Sequence, residues 1–160
     1  MEPRIASIPA QKLVGLTCSM SWVEDQTASL WRTFMPLRKQ IAHPINDELI
    51  ALQVYDARYS FDTFNPGSSF DYWAAKAVSE WENIPEELST FVLPEGLYAV
   101  FTYKGIASQA GSFFAYIFTT WLPQSSYKLD HRPHFAIMGA AYKHNDPASE
   151  EELWIPIKPK

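Results

Sequence analysis

The sequence predicts an α+β fold in which a strand–helix–strand–strand unit occurs twice, with a mainly antiparallel sheet and two helices on one face. Three observations support this prediction. Short apolar runs rich in β-forming residues alternate with turn signals. Two longer segments repeat apolar residues every three to four positions. The second half of the 160-residue chain repeats the order of the first half at a nearly constant offset, and we expect residues 1–160 to form one domain.

Seven segments are predicted to be strands because they are short and rich in apolar, β-branched or aromatic residues. They cover residues 3–8, 12–19, 48–55, 70–78, 97–103, 134–142 and 151–157. Within the fourth segment, Trp73 and Ala75 share one face of the strand and Tyr72 lies on the other, since side chains alternate along a strand. Loops are expected between these segments, at residues 56–69, 82–87 and 144–149.

Two segments are predicted to be helices, at residues 27–41 and 108–122. In the first, apolar residues recur with helical spacing at Leu30, Phe34, Leu37 and Ile41. Asp25 or Thr27 can cap its start, and Pro36 predicts a kink or an early end. Pro123 and the polar residues after it end the second helix.

The two halves of the chain resemble each other. Residues 30–36 fall on residues 117–123 at an offset of 87 (117 − 30), and Tyr55 falls on Tyr142 at the same offset. Trp73 falls on Trp154 at an offset of 81 (154 − 73). Chance similarity is the alternative, but the constant order favours a duplication with copies at approximately 1–82 and 88–160.

Composition and charge limit the possible functions. The formal net charge is −5 and no segment is rich in Lys or Arg, which argues against direct nucleic-acid binding. No apolar run reaches the roughly 20 residues of a membrane span, and no signal peptide precedes the first strand, so we expect a cytoplasmic protein without membrane contact. Cys18 is the only cysteine, which excludes an internal disulfide.

Aromatic residues make up 15% of the chain, which fits either a ligand site or core packing. The segments 70–78 and 134–142 are apolar on both faces, whereas a solvated sheet face carries alternating polar residues. The face without helices therefore lines an aromatic cleft for small molecules, or else forms a second core layer or a dimer interface. We expect these residues to line the cleft: Tyr55, Trp73, Phe118, Ala136, Met138, Tyr142 and Trp154. For the two Trp residues, a place in two equivalent cores is the alternative.

The sequence carries no strong catalytic or metal-binding motif. It has no glycine-rich phosphate loop, and its Ser residues lack a nucleophile context. His131 and His134 are three residues apart, so in a strand they point to opposite faces and do not share a metal ion. We expect no cofactor and no metal, and an enzymatic activity is disfavoured.

Four segments in order resemble the motifs of GyrI-like small-molecule-binding domains, which belong to the AraC-type effector-binding superfamily. Segment 93–105 (LPEGLYAVFTYKG) is similar to the strand IP-x-G-x-YAVF-x-H-x-G, and 121–127 (WLPQSSY) to WLP-x-SGY. Segment 132–138 (RPHFAIM) is similar to RP-x-FE-x-Y, and 152–157 (ELWIPI) to the closing E-x-x-I-x-IPI strand. Segment 30–38 (LWRTFMPLR) resembles the stand-alone members of the family.

This resemblance implies a Rob/GyrI effector-binding-like fold with a pocket for hydrophobic, often cationic, drug-like molecules. It implies a sensor domain related to transcription regulators or a stand-alone sequestration protein. The alternatives are a hydrolase of reactive hydrophobic compounds and a protein inhibitor of a partner such as DNA gyrase. A homodimer or a complex with a protein partner is compatible with each of these functions. Ala136 stands where the family has a pocket Glu, and Met138 where it has Tyr, so the resemblance implies a roomier and more neutral pocket here.

Overall fold

The alternating apolar segments form nine strands in the computed structural model, which describes residues 2–21, 23–55, 67–106, 109–139 and 146–160. The strands are β1 (Arg4–Ile8), β2 (Gln11–Met20), β3 (Leu49–Val54), β4 (Phe70–Val78), β5 (Ser89–Leu93), β6 (Gly96–Lys104), β7 (Tyr127–Leu129), β8 (His134–Met138) and β9 (Glu150–Pro159). The sequence did not predict β5 and β7. Tyr142, at the end of the predicted strand 134–142, lies outside the described residues.

The strand order shows an internal twofold pattern. Eight strands follow the order β1-β6-β9-β8-β3-β4-β2-β5, β7 pairs with β9, and these pairings are antiparallel. The order reads the same from both ends if β1 is exchanged with β5, β6 with β2, β9 with β4 and β8 with β3. The centre of the sheet is therefore the β3–β8 pair, where Ala51 is the partner of Ala136.

Two short connections force the sheet to curl. Only Pro9 and Ala10 join β1 to β2, although β1 is one edge of the sheet and β2 lies beside the other edge. Two linking residues span at most about 11 Å between Ile8 and Gln11. Pro94 and Glu95 likewise are the only residues between the end of β5 at Leu93 and the start of β6 at Gly96, so the same maximum distance applies to that connection. The two edges of the sheet must therefore approach each other.

A single hydrophobic cluster, here called the inner cluster, fills the inside of the curled sheet. Its buried members come from every strand of the eight-strand order except β1: Leu13, Ile50, Leu52, Trp73, Ala75, Ala77, Leu93, Tyr98, Val100, Phe135 and Trp154. No helix among the described elements packs on this face. The helix-free face thus forms a second core layer, which was the alternative to a cleft.

Helix α1 (Thr27–Leu37) forms as its spacing predicts, with Leu30 and Phe34 buried. The backbone N–H of Thr27 donates to Asp25 Oδ1 at 2.9 Å, which satisfies one of the free donors at the helix start. The helix ends one residue after Pro36 and continues as a short 3₁₀ turn (Arg38–Gln40), so it is shorter than the predicted 27–41.

The second helical segment has three parts: α2 (Gly111–Tyr116), a π-helical turn (Ile117–Trp121) and α3 (Leu122–Gln124). It packs over β6 and β9, and α1 packs over β2 and β4, so both lie on the face opposite the inner cluster. The predicted α+β class, with two helices on one face of a mainly antiparallel sheet, is confirmed. None of the helices in the described ranges is long and apolar enough to cross a bilayer.

Candidate functional site: a cleft between the two helices

The two helices leave the centre of the sheet uncovered. On the helix side, the central strands β3 and β8 present residues that are only partly buried: Leu49, Ala51, Gln53, Ala136 and Met138. On the other side of the same strands, Ile50, Leu52 and Phe135 are buried in the inner cluster. Central strands are normally the most covered part of a sheet, so partial exposure on one face marks a cleft between α1 and the second helical segment.

The registers of β3, β8 and β9 define the floor of this cleft as three rows. Ala51 is the partner of Ala136, which is the partner of Leu153, and these form the middle row. One row pairs Gln53 with His134, and the row on the other side pairs Leu49 with Met138. Two of the three side chains in the middle row are methyl groups and Leu153 is buried, so the space lies above Ala51 and Ala136.

Three rings close one end of the cleft. The ring centroid of His134 lies 5.3 Å from that of Tyr55, which follows β3, and 6.0 Å from that of Phe118 on the second helical segment. The Tyr55 hydroxyl donates to Gln53 Oε1 at 2.6 Å. The two halves of the chain thus each contribute an aromatic side chain to this end.

The π-helical turn determines where the aromatic residues of the second helical segment point. Trp121 packs edge-on against Phe101 at 5.2 Å in the core, while Phe118 reaches His134 at the end of the cleft. A π-helical turn adds residues to a helical turn and changes which side chains share a face, and such turns occur frequently at functional sites. The turn therefore lets one helix serve both the core and the cleft.

A cavity of about 640 Å³ lies beside these three rings, and its lining does not include the floor residues Ala51, Ala136 and Met138. Its lining combines aromatic rings with polar and cationic groups: Tyr55, Phe118, Tyr127, Lys128, Asp130, Arg132 and His134 are among them. A volume of this size suits a drug-sized molecule.

Arg132 fixes the chain around this cavity. Its Nε donates to Asp130 Oδ2 at 2.8 Å, and its Nη2 donates to the carbonyl oxygens of Leu97 at 2.6 Å and Ile157 at 3.0 Å. Its guanidinium lies 4.6 Å from the ring centroid of Tyr98. Burial opposes ionisation of Asp130, but the hydrogen bonds from Arg132 and the His131 backbone outweigh it, so the carboxyl pKa is below its usual value.

His134 is buried and neutral. Burial, and secondarily the charge of His131, lower the pKa of the His134 imidazole to about 3. His131 is exposed and lies before β8, whereas His134 is buried, and both residues line the cavity. A neutral imidazole adds an uncharged polar surface to the floor of the cleft.

The structure divides the residues predicted to line the cleft. Tyr55, Phe118, Ala136 and Met138 lie on the helix side, around the cleft described above. Trp73 and Trp154 lie on the opposite face of the sheet, in the inner cluster. The prediction that they line the same cleft as the other four residues therefore needs correction. Successive side chains of a strand point to opposite faces, and both Trp residues occupy positions whose side chains point towards the inner cluster. Tyr142 is outside the described residues.

The two Trp residues share one core rather than two equivalent ones. Trp154 stacks on Phe135 with centroids 5.2 Å apart and an interplanar angle of 14°, and Trp73 packs against Phe91 at 5.3 Å. Both indole side chains are buried within the inner cluster. They are therefore structural in this conformation.

Sequence reasoning missed His134, Arg132 and Glu151 as residues of this region. The Arg132–Pro133 pair belongs to one of the recognised motifs, and this was an available signal for Arg132. Glu151 lies on the helix-side face of β9, half-buried, and burial raises the pKa of its carboxyl above the usual value. A Glu at the start of a strand gives no sequence signal of this kind.

A second group of ionisable residues lies on the surface. His43 Nε2 is 3.2 Å from Glu80 Oε1 and 3.4 Å from Glu82 Oε2, and all three residues are exposed. Surface pairs of this kind contribute little to stability, and this group is not part of the cleft.

Comparison with known proteins identifies relatives over the whole chain. The family model for the GyrI-like small molecule binding domain matches residues 1–158. The transcriptional regulator BrlR of Pseudomonas aeruginosa is 30% identical over 158 residues, which is 98% of this chain and 56% of BrlR. The chain thus spans about half the length of this curated relative.

Solved structures share the fold. The structure of SAV2435 bound to tetraphenylphosphonium has a TM-score of 0.71 at 18% identity, and covers 99% of this chain and 94% of that one. The C-terminal domain of EcmrR has a TM-score of 0.73 at 14% identity, with coverage of 99% and 98%. At these identities the likeness concerns the fold alone.

Proposed function

The chain belongs to the GyrI-like small-molecule-binding domain family, and from this premise we propose that it binds a hydrophobic small molecule in the cleft between α1 and the second helical segment. One observation carries the proposal: on the central strands β3 and β8, Leu49, Ala51, Gln53, Ala136 and Met138 are partly exposed on the helix side, while Ile50, Leu52 and Phe135 on the opposite face are buried. A ligand with an apolar body would cover this surface and gain the free energy of its burial.

The composition of the cleft defines the ligand further. Ala51 and Ala136 give the middle of the floor little height, and Tyr55 and Phe118 supply rings at one end. A bulky aromatic molecule fits such a space better than a long aliphatic chain, because it can contact several rings at once. At the centre of the floor, Ala136 offers no charge, so recognition there depends on shape and apolar contact.

We propose that binding serves a sensor or a sequestration role. The relative BrlR is a transcriptional regulator, and this chain matches about half of it, which supports an effector-binding role for the matched part. SAV2435, which shares the fold, was solved with tetraphenylphosphonium, an aromatic cation, and this makes that compound a suitable first probe.

The test compares two substitutions with the same chemistry at different places. Ala136→Phe fills the middle of the cleft, and Ala115→Phe adds the same ring at an exposed position of α2. We expect calorimetric titration with tetraphenylphosphonium to show binding to the unmodified chain and to Ala115→Phe. We expect at least a tenfold loss for Ala136→Phe, because the added ring occupies the space of the ligand.

A thermal-shift measurement serves as the control for folding. Tetraphenylphosphonium should raise the Tm of the unmodified chain by mass action, and this rise should disappear in Ala136→Phe only. Equal affinities of the two variants would show that the ligand does not occupy the cleft, and no binding by the unmodified chain to any of a panel of aromatic probes would contradict the proposal.

A further inference from the structure

The third row of the cleft floor ends in a carboxylate. The register of β8 and β9 pairs Ala136 with Leu153 and Ile137 with Glu152, and continuing it by one residue would bring Met138 beside Glu151. Leu49 is the partner of Met138 on the other side, and Tyr103 is the partner of Glu151 on β6. Glu151 therefore lies on the same face as Ala136 and Met138, one strand away from the centre.

Glu151 is the one acidic residue on the helix-side face of β3, β8 and β9 within the described ranges. Its neighbours in sequence, Glu150 and Glu152, have the opposite parity and point to the face of the inner cluster. Glu152 has partners there, because its carboxylate contacts Arg4 Nη1 at 3.4 Å and accepts a hydrogen bond from Trp154 Nε1 at 3.3 Å.

Glu151 has no such partner. Across the described part of the chain, no hydrogen bond or ion pair joins its carboxylate to another residue, although it is half-buried. The nearby second helical segment, residues 111–124, contains no Lys, Arg, Asp or Glu that could neutralise it. Burial raises the pKa of its carboxyl, which is the response of an acid that has lost water without gaining a cation.

We propose that Glu151 is the charge-recognising residue of the cleft, and that the ligand is a compact aromatic cation whose charge lies towards β9 rather than over the centre of the floor. This inference rests on the proposed function. A cation beside Glu151 would supply the missing partner of a desolvated carboxylate, and the aromatic body would lie over Ala136 and Met138 towards the rings of Tyr55 and Phe118. The absence of a carboxylate at position 136 then shifts the charge site along the floor without removing it.

The experiment uses two ions of nearly equal shape and opposite charge, tetraphenylphosphonium and tetraphenylborate. We expect the unmodified chain to bind the cation at least about fivefold more tightly than the anion, since one charge contact in a half-solvated site changes affinity by about five- to tenfold. Glu151→Gln should bring this ratio close to one and leave the affinity for a neutral probe, triphenylphosphine oxide, unchanged.

Glu150→Gln is the matched control, because it removes the same charge from the adjacent residue on the opposite face. It should keep the ratio of the unmodified chain. A preserved ratio in Glu151→Gln, or equal affinities of both ions for the unmodified chain, would overturn the role of Glu151 while the proposed function stands. Failure of all three probes to bind the unmodified chain would overturn both. The ratio in the unmodified chain is itself a test that needs no folded variant.

Discussion

Acidification should destabilise this domain through His134. The imidazole has a pKa of about 3 in the folded chain, because burial disfavours its charged form. In the unfolded chain its pKa returns to about 6.5. The unfolded chain therefore binds more protons than the folded chain below pH 6.5, and the free energy of unfolding falls as the pH is lowered through that window.

The size of the effect follows from the two pKa values. At pH 7 both states are mostly neutral at this residue. At pH 5 the unfolded imidazole is almost fully protonated and the folded one is not, which costs about 2 kcal/mol of unfolding free energy, and at pH 4 about 3 kcal/mol. The value at pH 5 depends little on the folded pKa, provided that it lies well below 5.

Urea unfolding of the unmodified chain and of His134→Gln at pH 7 and pH 5 measures this contribution. Glu151 acts in the opposite direction, because its carboxyl pKa is raised by burial and its protonation on acidification relieves that cost. This effect is common to both proteins and cancels in the comparison. The unmodified chain should lose about 2 kcal/mol more than His134→Gln between the two pH values. Equal losses in both proteins would refute the assignment of a buried, neutral imidazole.

Two further predictions concern stability. Gly15→Ala should destabilise the chain by about 1–3 kcal/mol, because a Cβ there would overlap the Ala74 carbonyl oxygen and the strands must separate. Gly111→Ala has open space around the new Cβ and should be neutral or stabilising, and urea unfolding of both variants measures the difference. Arg132→Met should cost at least about 2 kcal/mol in the same assay, because it leaves Asp130 and two backbone carbonyls without their donor. Similar stabilities of the two Gly variants, or of Arg132→Met and the unmodified chain, would contradict the packing and bonding described.

Local sequence patterns predicted much of this fold, because the periodicity of a segment depends mainly on which of its faces is buried. Leu30 and Phe34 are buried on α1 as the helical spacing predicts, and Trp73 and Ala75 share a strand face. The ends of the elements were less predictable. The chain turns into a 3₁₀ geometry after Leu37, and the π-helical turn in the second helical segment has no signature in the sequence.

The position of the cleft could not be obtained from local patterns. Tyr55, Phe118, Ala136 and Met138 were predicted to line a cleft on the helix-free face, whereas they lie on the helix side, and their contact with a ligand stays a prediction. The sequence pattern does not tell which sheet face the helices cover. The two-residue connections that curl the sheet bring both edges together and bury Trp73 and Trp154 inside. The burial of these two side chains depends on the order of the strands in the sheet, which local sequence patterns do not give. The assignment of the two copies to residues 1–82 and 88–160 stays a prediction.

The most direct test of the cleft is an NMR titration with tetraphenylphosphonium that follows the methyl signals of Ala51, Ala136 and Met138 together with the indole N–H signals of Trp73 and Trp154. We expect saturable shifts of the three methyl signals from the ring currents of the bound ligand, with little change at the two indoles. Shifts at the indoles of Trp73 and Trp154 without shifts at the three methyl groups would place the ligand in the inner cluster and refute binding between the helices.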